Sequence, residues 1–412
     1  MRFLLGAFGD PGHAFPIIAV GRALRARGHD VVLQTWGRWM ADVEREGMAF
    51  AASPEYDVFP TLERPLKPYE AVVRAAAAME PLVRSVAPDA VVADILTLAP
   101  ALAGEIAGVP VATVVPHVDP RTFTGQPPYS MGARLPRTAV GRRLWRSFEP
   151  VVGKGLELGR GELNETRRRL GLAPLPHVHN GISRQLCLVG TFPQLEYPRP
   201  EWSEHTHVVG PLLWEPRFDQ DVELPPGEGP VILVAPSTVH DGDHRLLRAT
   251  LEGLADEPVR VLATYNRRAP DPPIEVPGNA RLVEWVSYAR TMPRCDVVVC
   301  HGGHGTVVRA LASGCVVVAC PAAGDMNENA ARVDWAGVGV RVPRRLVTPR
   351  ALRLAVGRAV GEPGLAGHAA GLAAWAKEHD GAGRAAALLE RFAAGGDTAD
   401  ASLDSGTTMT SA

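Results

Sequence analysis

Short apolar runs, each followed by a stretch of helical period, recur in two series along this 412-residue chain. Such alternation folds as parallel sheets covered by helices, because a parallel strand can be reached only through a long crossover. In the first series, Arg2–Phe8, Asp30–Gln34, Ala90–Ala93 and Pro110–Val115 read as buried strands. Phe15–Arg27, Tyr69–Val86 and Ala99–Ala107 read as their crossover helices. The segment Gly210–Pro230 is rich in Pro, Gly and acidic residues without periodicity, as a linker is. A second series then begins, with strands Val231–Ala235, Val259–Thr264, Ala280–Val283, Val297–Cys300 and Val316–Ala319 and a helix over Asp243–Leu254. The expected class is α/β, with two Rossmann-like doubly wound domains facing one another across a cleft. The expected divisions are a first domain over 1–210, a linker over 211–229, a second domain over 230–370, a last helix over 371–394 and a polar, disordered tail over 395–412.

Composition narrows the partners. With 46% apolar and 21% charged residues, and 43 basic against 45 acidic side chains, the chain has the balance of a soluble globular protein. It carries no net field to hold nucleic acid or an anionic membrane, so neither is expected as a partner. No run approaches the ~18 apolar residues of a membrane span, and Met1–Gly6 reads as a buried first strand, so a cytoplasmic location is expected. The cysteines, Cys187, Cys295, Cys300, Cys315 and Cys320, form no Cys-x-x-Cys pair, and the last four lie in or beside apolar strands as reduced core residues do. Abundant Ala, Arg, Gly and Pro suggest GC-rich coding DNA of an actinobacterial kind.

The most informative stretch is Asp296-Val-Val-Val-Cys-His301-Gly302-Gly303-His304-Gly305-Thr306, an apolar strand running through a glycine-rich turn into a helix. Glycines let the main chain approach an anion closely, and the free N–H groups and dipole of the following helix supply donors and partial positive charge. A diphosphate fits such a turn. A dinucleotide does not fit the first domain, where Gly6, Gly9 and Gly12 are spaced Gly-x-x-Gly-x-x-Gly instead of as the dinucleotide fingerprint.

The glycine turn belongs to a longer pattern: Glu284-Trp285-Val286 before it, then Ala312-Ser313-Gly314, the strand Cys315–Cys320, Pro321, Asp325, Asn327, Asn329 and Gly337-Val338-Gly339. This span resembles the nucleotide-sugar signature of GT-B-fold inverting glycosyltransferases of the bacterial natural-product (antibiotic, macrolide and enediyne) type, related to the UDP-glycosyltransferases. In those enzymes a tryptophan lies sixteen residues before the phosphate-binding histidine, the interval between Trp285 and His301 here. The resemblance implies that the last helix packs back on the first domain. It also implies that His301 meets the phosphates, that Trp285 stacks on the pyrimidine with the Val286 backbone at its edge, that Asp325 binds sugar hydroxyls and that Asn329 lies near the phosphates. Ser237 and Thr238 match where relatives place a hydroxyl on the same phosphates, and the backbone of Gly303, Gly305 and Thr306, with the Thr306 hydroxyl, should cradle them.

Sugar transfer also needs a base for the acceptor hydroxyl. His13, at the mouth of the first strand, is the candidate, since an imidazole near neutral pH can accept a proton. Asp94 matches the family's second dyad member and would orient the ring and stabilise the imidazolium; Asp10 is a nearby competitor. Taken singly, His13 and Asp94 are better read as helix caps; taken together, with the motifs downstream, catalysis is preferred. No metal is expected, because His301 and His304 lack a third clustered ligand and a helix dipole with several donors can replace an ion.

Two positions depart from the family pattern. Met326 stands where many relatives have Gln, and Arg309 stands where UDP-specific relatives have a ribose-binding glutamate. Both departures favour a dTDP-deoxysugar over a UDP-sugar donor. The insertion over His117–Arg160, with Phe123, Tyr129, Met131, Trp145 and Phe148, reads equally as a mobile acceptor-binding element or as irregular helices with core aromatics. The expected activity is metal-independent, cofactor-free transfer of a sugar to a hydrophobic natural product. A nucleotide-sugar 2-epimerase and a silent partner of another transferase are the alternatives, and a homodimer is compatible with the sequence.

Overall fold

The structure is a computed structural model that describes residues 1–53, 70–176, 181–199, 202–218, 220–237 and 242–398. The first sheet contains β1 (Arg2–Gly6), β2 (Asp30–Thr35), β3 (Ala49–Ala52), β4 (Ala90–Asp94), β5 (Val111–Val115), β6 (Cys187–Val189) and β7 (Thr206–Val208), in the order β3-β2-β1-β4-β5-β6-β7. The second contains β8 (Val231–Ala235), β9 (Arg260–Thr264), β10 (Ala280–Val283), β11 (Val297–Cys300), β12 (Val316–Ala319) and β13 (Gly339–Arg341), in the order β10-β9-β8-β11-β12-β13. Every strand pair is parallel. The central strands are Val- and Ala-rich and buried throughout, β4 as AVVAD, β5 as VATVV, β8 as VILVA and β11 as VVVC. Continuous apolar runs of this kind suit strands covered on both faces.

Strand order reverses between β1 and β4 in one sheet and between β8 and β11 in the other. At such a point successive crossovers leave to opposite faces and open a crevice at the carboxyl ends of the strands. Register brings those ends side by side, Gly6 opposite Ala93 and Ala235 opposite Cys300. The strands β3, β6, β7 and β13 are the ones the sequence pattern does not announce; three of them have three residues each, too short to show a period. All five cysteines are buried thiols, and none is in a disulfide among the described residues.

The chain's last helical run departs from expectation. Instead of one helix over 371–394 there are two, Pro363–Glu378 and Gly381–Ala393. His379 and Asp380 between them are extended, and the Trp375 ring stacks on His379 at 4.2 Å. The first helix buries Leu365, Ala369 and Leu372 in the core around β8 to β12. The second buries Ala382, Ala385, Ala386, Leu388 and Leu389 in the core around β1, beside helix Pro11–Ala26. Its Glu390 also pairs with Arg27 and His29. The returning element therefore starts at Gly381, ten residues later than the sequence indicates. The tail expected over 395–412 falls outside the described residues from 399 onward.

The segment between the sheets is packed along much of its length. Leu212 and Trp214 are buried in the first core, with Trp214 Nε1 donating to Glu46 Oε1 at 2.9 Å, while Leu213, Val222 and Leu224 pack on the second. In the insertion, helices Ala139–Arg146 and Glu149–Arg169 form, but Met131 and Phe148 are exposed and Phe123, Tyr129 and Trp145 are half-buried. Its aromatics are therefore not simply core.

A buried ion cluster joins the two halves. Arg332, on helix Met326–Trp335, donates to Glu196 Oε2 at 3.1 Å and to the Leu195 carbonyl at 2.9 Å, and its Nε donates to Glu328 at 2.9 Å. Its guanidinium lies 3.5 Å from the centroid of the Tyr197 ring. The side chains of Arg332, Glu196 and Glu328 are at most 5% exposed. Arg332→Met strands the buried Glu328 carboxylate and leaves Glu196 to Arg199 and the Asp119 N–H, and is expected to cost about 3–5 kcal/mol in chemical denaturation, whereas Arg358→Met, which breaks an exposed pair with Glu362, should leave the transition almost unmoved.

Candidate active site

The first crevice holds His13 and Asp94. Asp94 ends β4 with its side chain buried, and His13 lies in the first turn of helix Pro11–Ala26, which follows β1. His13 Nδ1–H donates to Asp94 Oδ1 at 2.8 Å. The other carboxylate oxygen accepts from the Phe8 N–H at 3.2 Å and the Thr97 hydroxyl at 3.5 Å. Neither residue is a helix cap: Asp10 and Thr97 occupy the N-cap positions. Asp10 is exposed and lies 3.6 Å from Arg38, so the carboxylate on His13 is Asp94. Burial opposes protonation of His13, but the charge and hydrogen bond of Asp94, helped by Asp10 and Asp325, outweigh it, and the pKa rises above the ordinary imidazole value. With Nδ1–H held by Asp94, the neutral ring keeps its lone pair on Nε2.

The second crevice holds the glycine turn. Helix His304–Ala312 has Gly303 at its N-cap and no side chain capping it. The backbone N–H groups of the first helical turn, including Gly305 and Thr306, thus point out of the helix end. Gly302 adopts φ +78°, which favours glycine, and a Cβ on Gly303 would lie 2.3 Å from His301 Nε2 and push that ring from its place. His301 Nδ1–H donates to the Ala235 carbonyl at 3.3 Å, which ties the turn to the end of β8, next to the half-buried Ser237. Thr238 lies outside the described residues.

Asn329 lies against the glycine turn. It is 2% exposed, donates to the Gly302 carbonyl at 2.9 Å and faces His304 Nδ1 at 3.4 Å, which makes it a brace behind the turn. His304 is also buried and reaches the other half of the molecule, donating from Nε2 to the Gly190 carbonyl at 3.2 Å; burial pushes its pKa down to about 4. It therefore does not share a ligand site with His301.

Trp285 is half-buried, not core. The Arg267 guanidinium lies 4.7 Å from its ring centroid and Tyr288 stacks near-parallel at 6.5 Å. Val286 is buried, so a base could meet only its backbone. Arg309 turns to the segment between the sheets, donating to the Trp214 carbonyl at 2.9 Å. Asp325 and Met326 open helix Met326–Trp335, and the Asp325 charge acts on His13, His117 and Tyr129 of the first half. The two crevices therefore face one another.

Sequence reasoning missed Arg267, gave His117 no role beyond opening the insertion, and named Tyr129 only as one of the insertion's aromatics. His117 could have been found by the rule that ligands gather beyond strand carboxyl ends, since it follows β5 by two residues. Nothing in the sequence marks Arg267.

Residues 248–380 match the family described as erythromycin biosynthesis protein CIII-like, C-terminal domain. The O-mycaminosyltylonolide 6-deoxyallosyltransferase of Streptomyces fradiae is 30% identical over 439 residues, which span 95% of this chain and 98% of that protein. The chain belongs to the antibiotic glycosyltransferases. The glycosyltransferase of kitacinnamycin superposes with a TM-score of 0.75 at 22% identity, covering 95% of this chain and 98% of that one. The glycosyltransferase VinC, solved in complex with dTDP, superposes with a TM-score of 0.68 at 18% identity, covering 96% and 100%. The fold is GT-B, and the protein is a sugar-transferring enzyme. Among the described residues no helix is long and apolar enough to cross a membrane.

Asp94→Asn removes the charge that offsets burial, so the His13 pKa is expected to fall below its wild-type value in an NMR titration of the imidazole.

Proposed function

We propose that this glycosyltransferase moves a hexose, by preference a deoxyhexose, from dTDP to a hydroxyl of a hydrophobic natural product with inversion and without a metal. The observation that carries the proposal is the His13–Asp94 pair at one strand-order reversal, facing across the cleft toward the glycine turn and Asp325 of the other. His13 Nε2 takes the acceptor's proton as its oxygen bonds to the anomeric carbon. The bond to the diphosphate breaks on the opposite side of that carbon, and Asp94 stabilises the imidazolium.

The leaving diphosphate is held by main-chain N–H groups of Gly303, Gly305 and Thr306, by the helix dipole and by His301, with Ser237 alongside. Trp285 and the Val286 backbone hold the pyrimidine, and Asp325 binds the sugar. Asn329 acts by bracing the turn. Arg309, turned away to the Trp214 carbonyl, offers no carboxylate to a ribose diol, and Met326 offers no hydrogen bond to a sugar hydroxyl. Both features favour dTDP and a deoxygenated sugar over UDP-glucose. The Streptomyces fradiae relative, a 6-deoxyallosyltransferase by name, and the dTDP in the VinC structure support the same choice. The relative is named as a transferase, which does not favour a 2-epimerase or a silent partner.

A mass-spectrometric screen of dTDP- and UDP-sugars against aromatic and macrolide aglycones tests this reading; conversion of donor without any acceptor would overturn it. His13→Ala should lower turnover by about 10²–10⁴-fold while leaving dTDP affinity within about twofold. In the wild-type enzyme kcat/KM should fall as pH drops through the raised His13 pKa, and Asp94→Asn should move that acid limb to lower pH. His301→Ala should weaken dTDP binding by about 10–100-fold, as the loss of one charge-assisted hydrogen bond of roughly 1.5–3 kcal/mol would; calorimetry checks it. Full activity in excess EDTA is expected.

A further inference from the structure

The segment that follows β5 does not stay on its own half of the molecule. Gly132 packs so closely on the helix Met326–Trp335 that a Cβ there would lie 2.5 Å from the Asn327 carbonyl oxygen. Arg341 donates to the Gly132 carbonyl, and Arg134 Nε lies 3.2 Å from Asp334 Oδ2. The segment is thus a strap laid across the mouth of the cleft, and it carries Tyr129. The Tyr129 ring stacks on His117, with centroids 6.0 Å apart, and the His117 ring stands edge-on to His13 at 6.2 Å.

His117 is fixed in one tautomer. Its Nδ1–H donates to the Val118 carbonyl at 2.7 Å, with the Tyr129 oxygen 3.3 Å from the same nitrogen. The lone pair therefore lies on Nε2, which has no hydrogen-bond partner among the described residues and is not among the buried unpaired atoms. Burial, with the charge of His13 acting in the same direction, holds the ring's pKa below the ordinary value. A ring that stays neutral beside the proton-accepting His13 can accept a hydrogen bond but cannot repel an imidazolium. With Nδ1–H already engaged, the Tyr129 hydroxyl retains its own proton to donate.

We infer that His117 and Tyr129 form the first domain's half of the transferred sugar's site, with His117 Nε2 accepting from a sugar hydroxyl and Tyr129 donating to a sugar oxygen opposite Asp325. This rests on the proposed transfer reaction, since the site lies between His13 and Asp325. It also supplies, from the opposite face, a polar contact that Met326 does not make. His117 and Tyr129 are specificity-determining residues in this scheme, and His13 alone handles the proton.

The test compares binding of dTDP and of dTDP-glucose to the full-length protein by calorimetry. Wild type should bind dTDP-glucose with an affinity set partly by the sugar. His117→Phe should leave dTDP affinity within twofold and weaken dTDP-glucose at least fivefold. Tyr129→Phe, which keeps the ring stack, should weaken dTDP-glucose in the same direction by a smaller factor. His117→Gln, whose amide can donate to Val118 and still accept from a hydroxyl, should recover most of the loss. An unchanged ratio of the two affinities in His117→Phe overturns the inference. So does a parallel loss of both ligands that His117→Gln does not reverse, which is the signature of a structural role. Failure of the transferase reading shows separately, as wild-type protein that binds dTDP-glucose and moves its sugar to no acceptor.

Discussion

Parallel strand alignment is the constraint on which everything else in this molecule depends. All strands of a parallel sheet end on one edge, so every loop with chemical freedom gathers there. Two such sheets occur in this chain, each with one reversal of strand order, and each reversal opens one crevice. The His13–Asp94 bond lies in the first and the glycine turn after β11 in the second. Two cleft faces that differ chemically follow from repeating one architecture with different loops.

How those faces are kept in register is a matter of buried polar contacts. Arg332 and His304, both on helices that start at the second crevice, end on the segment Gly190–Glu196 after β6 of the first sheet. Burial makes such contacts costly to leave unpaired. The helix that opens with Asp325 is therefore referenced to the half of the molecule that carries the base. Electrostatics divides the imidazoles accordingly: His13 beside a carboxylate has its pKa raised, while His304 and His117, without one, have theirs lowered by burial.

Much of this was legible in the residues. The Val-rich runs at Val231, Val297 and Val316 mark fully buried strands, and the run from Asp296 to Thr306 marks the anion-binding turn, because both signals are local. The pairing of His13 with Asp94 was suggested by the family resemblance, but its geometry needed the β1–β4 register. What was hidden was non-local. The family resemblance puts Asn329 near the phosphates, but that its amide braces the turn through the Gly302 carbonyl is seen only in the fold. The break at His379 and Asp380 falls among the poor helix formers His379, Asp380, Gly381 and Gly383, but the Ala- and Leu-rich helical pattern on either side masks it. His117 and Tyr129 carry no motif, and only the strap's contact with Asn327 shows where they lie.

The helix Gly381–Ala393 gives the molecule a particular order of assembly. Its Leu388 and Leu389 fill the core that Phe3 and Leu5 begin, so the domain synthesised first is finished last. On the ribosome, that apolar face of β1 and its neighbours stays open until nearly the whole chain has emerged. During synthesis it is a surface for chaperones to cover, and a deletion near residue 381 would unseat the beginning of the chain as well as its end.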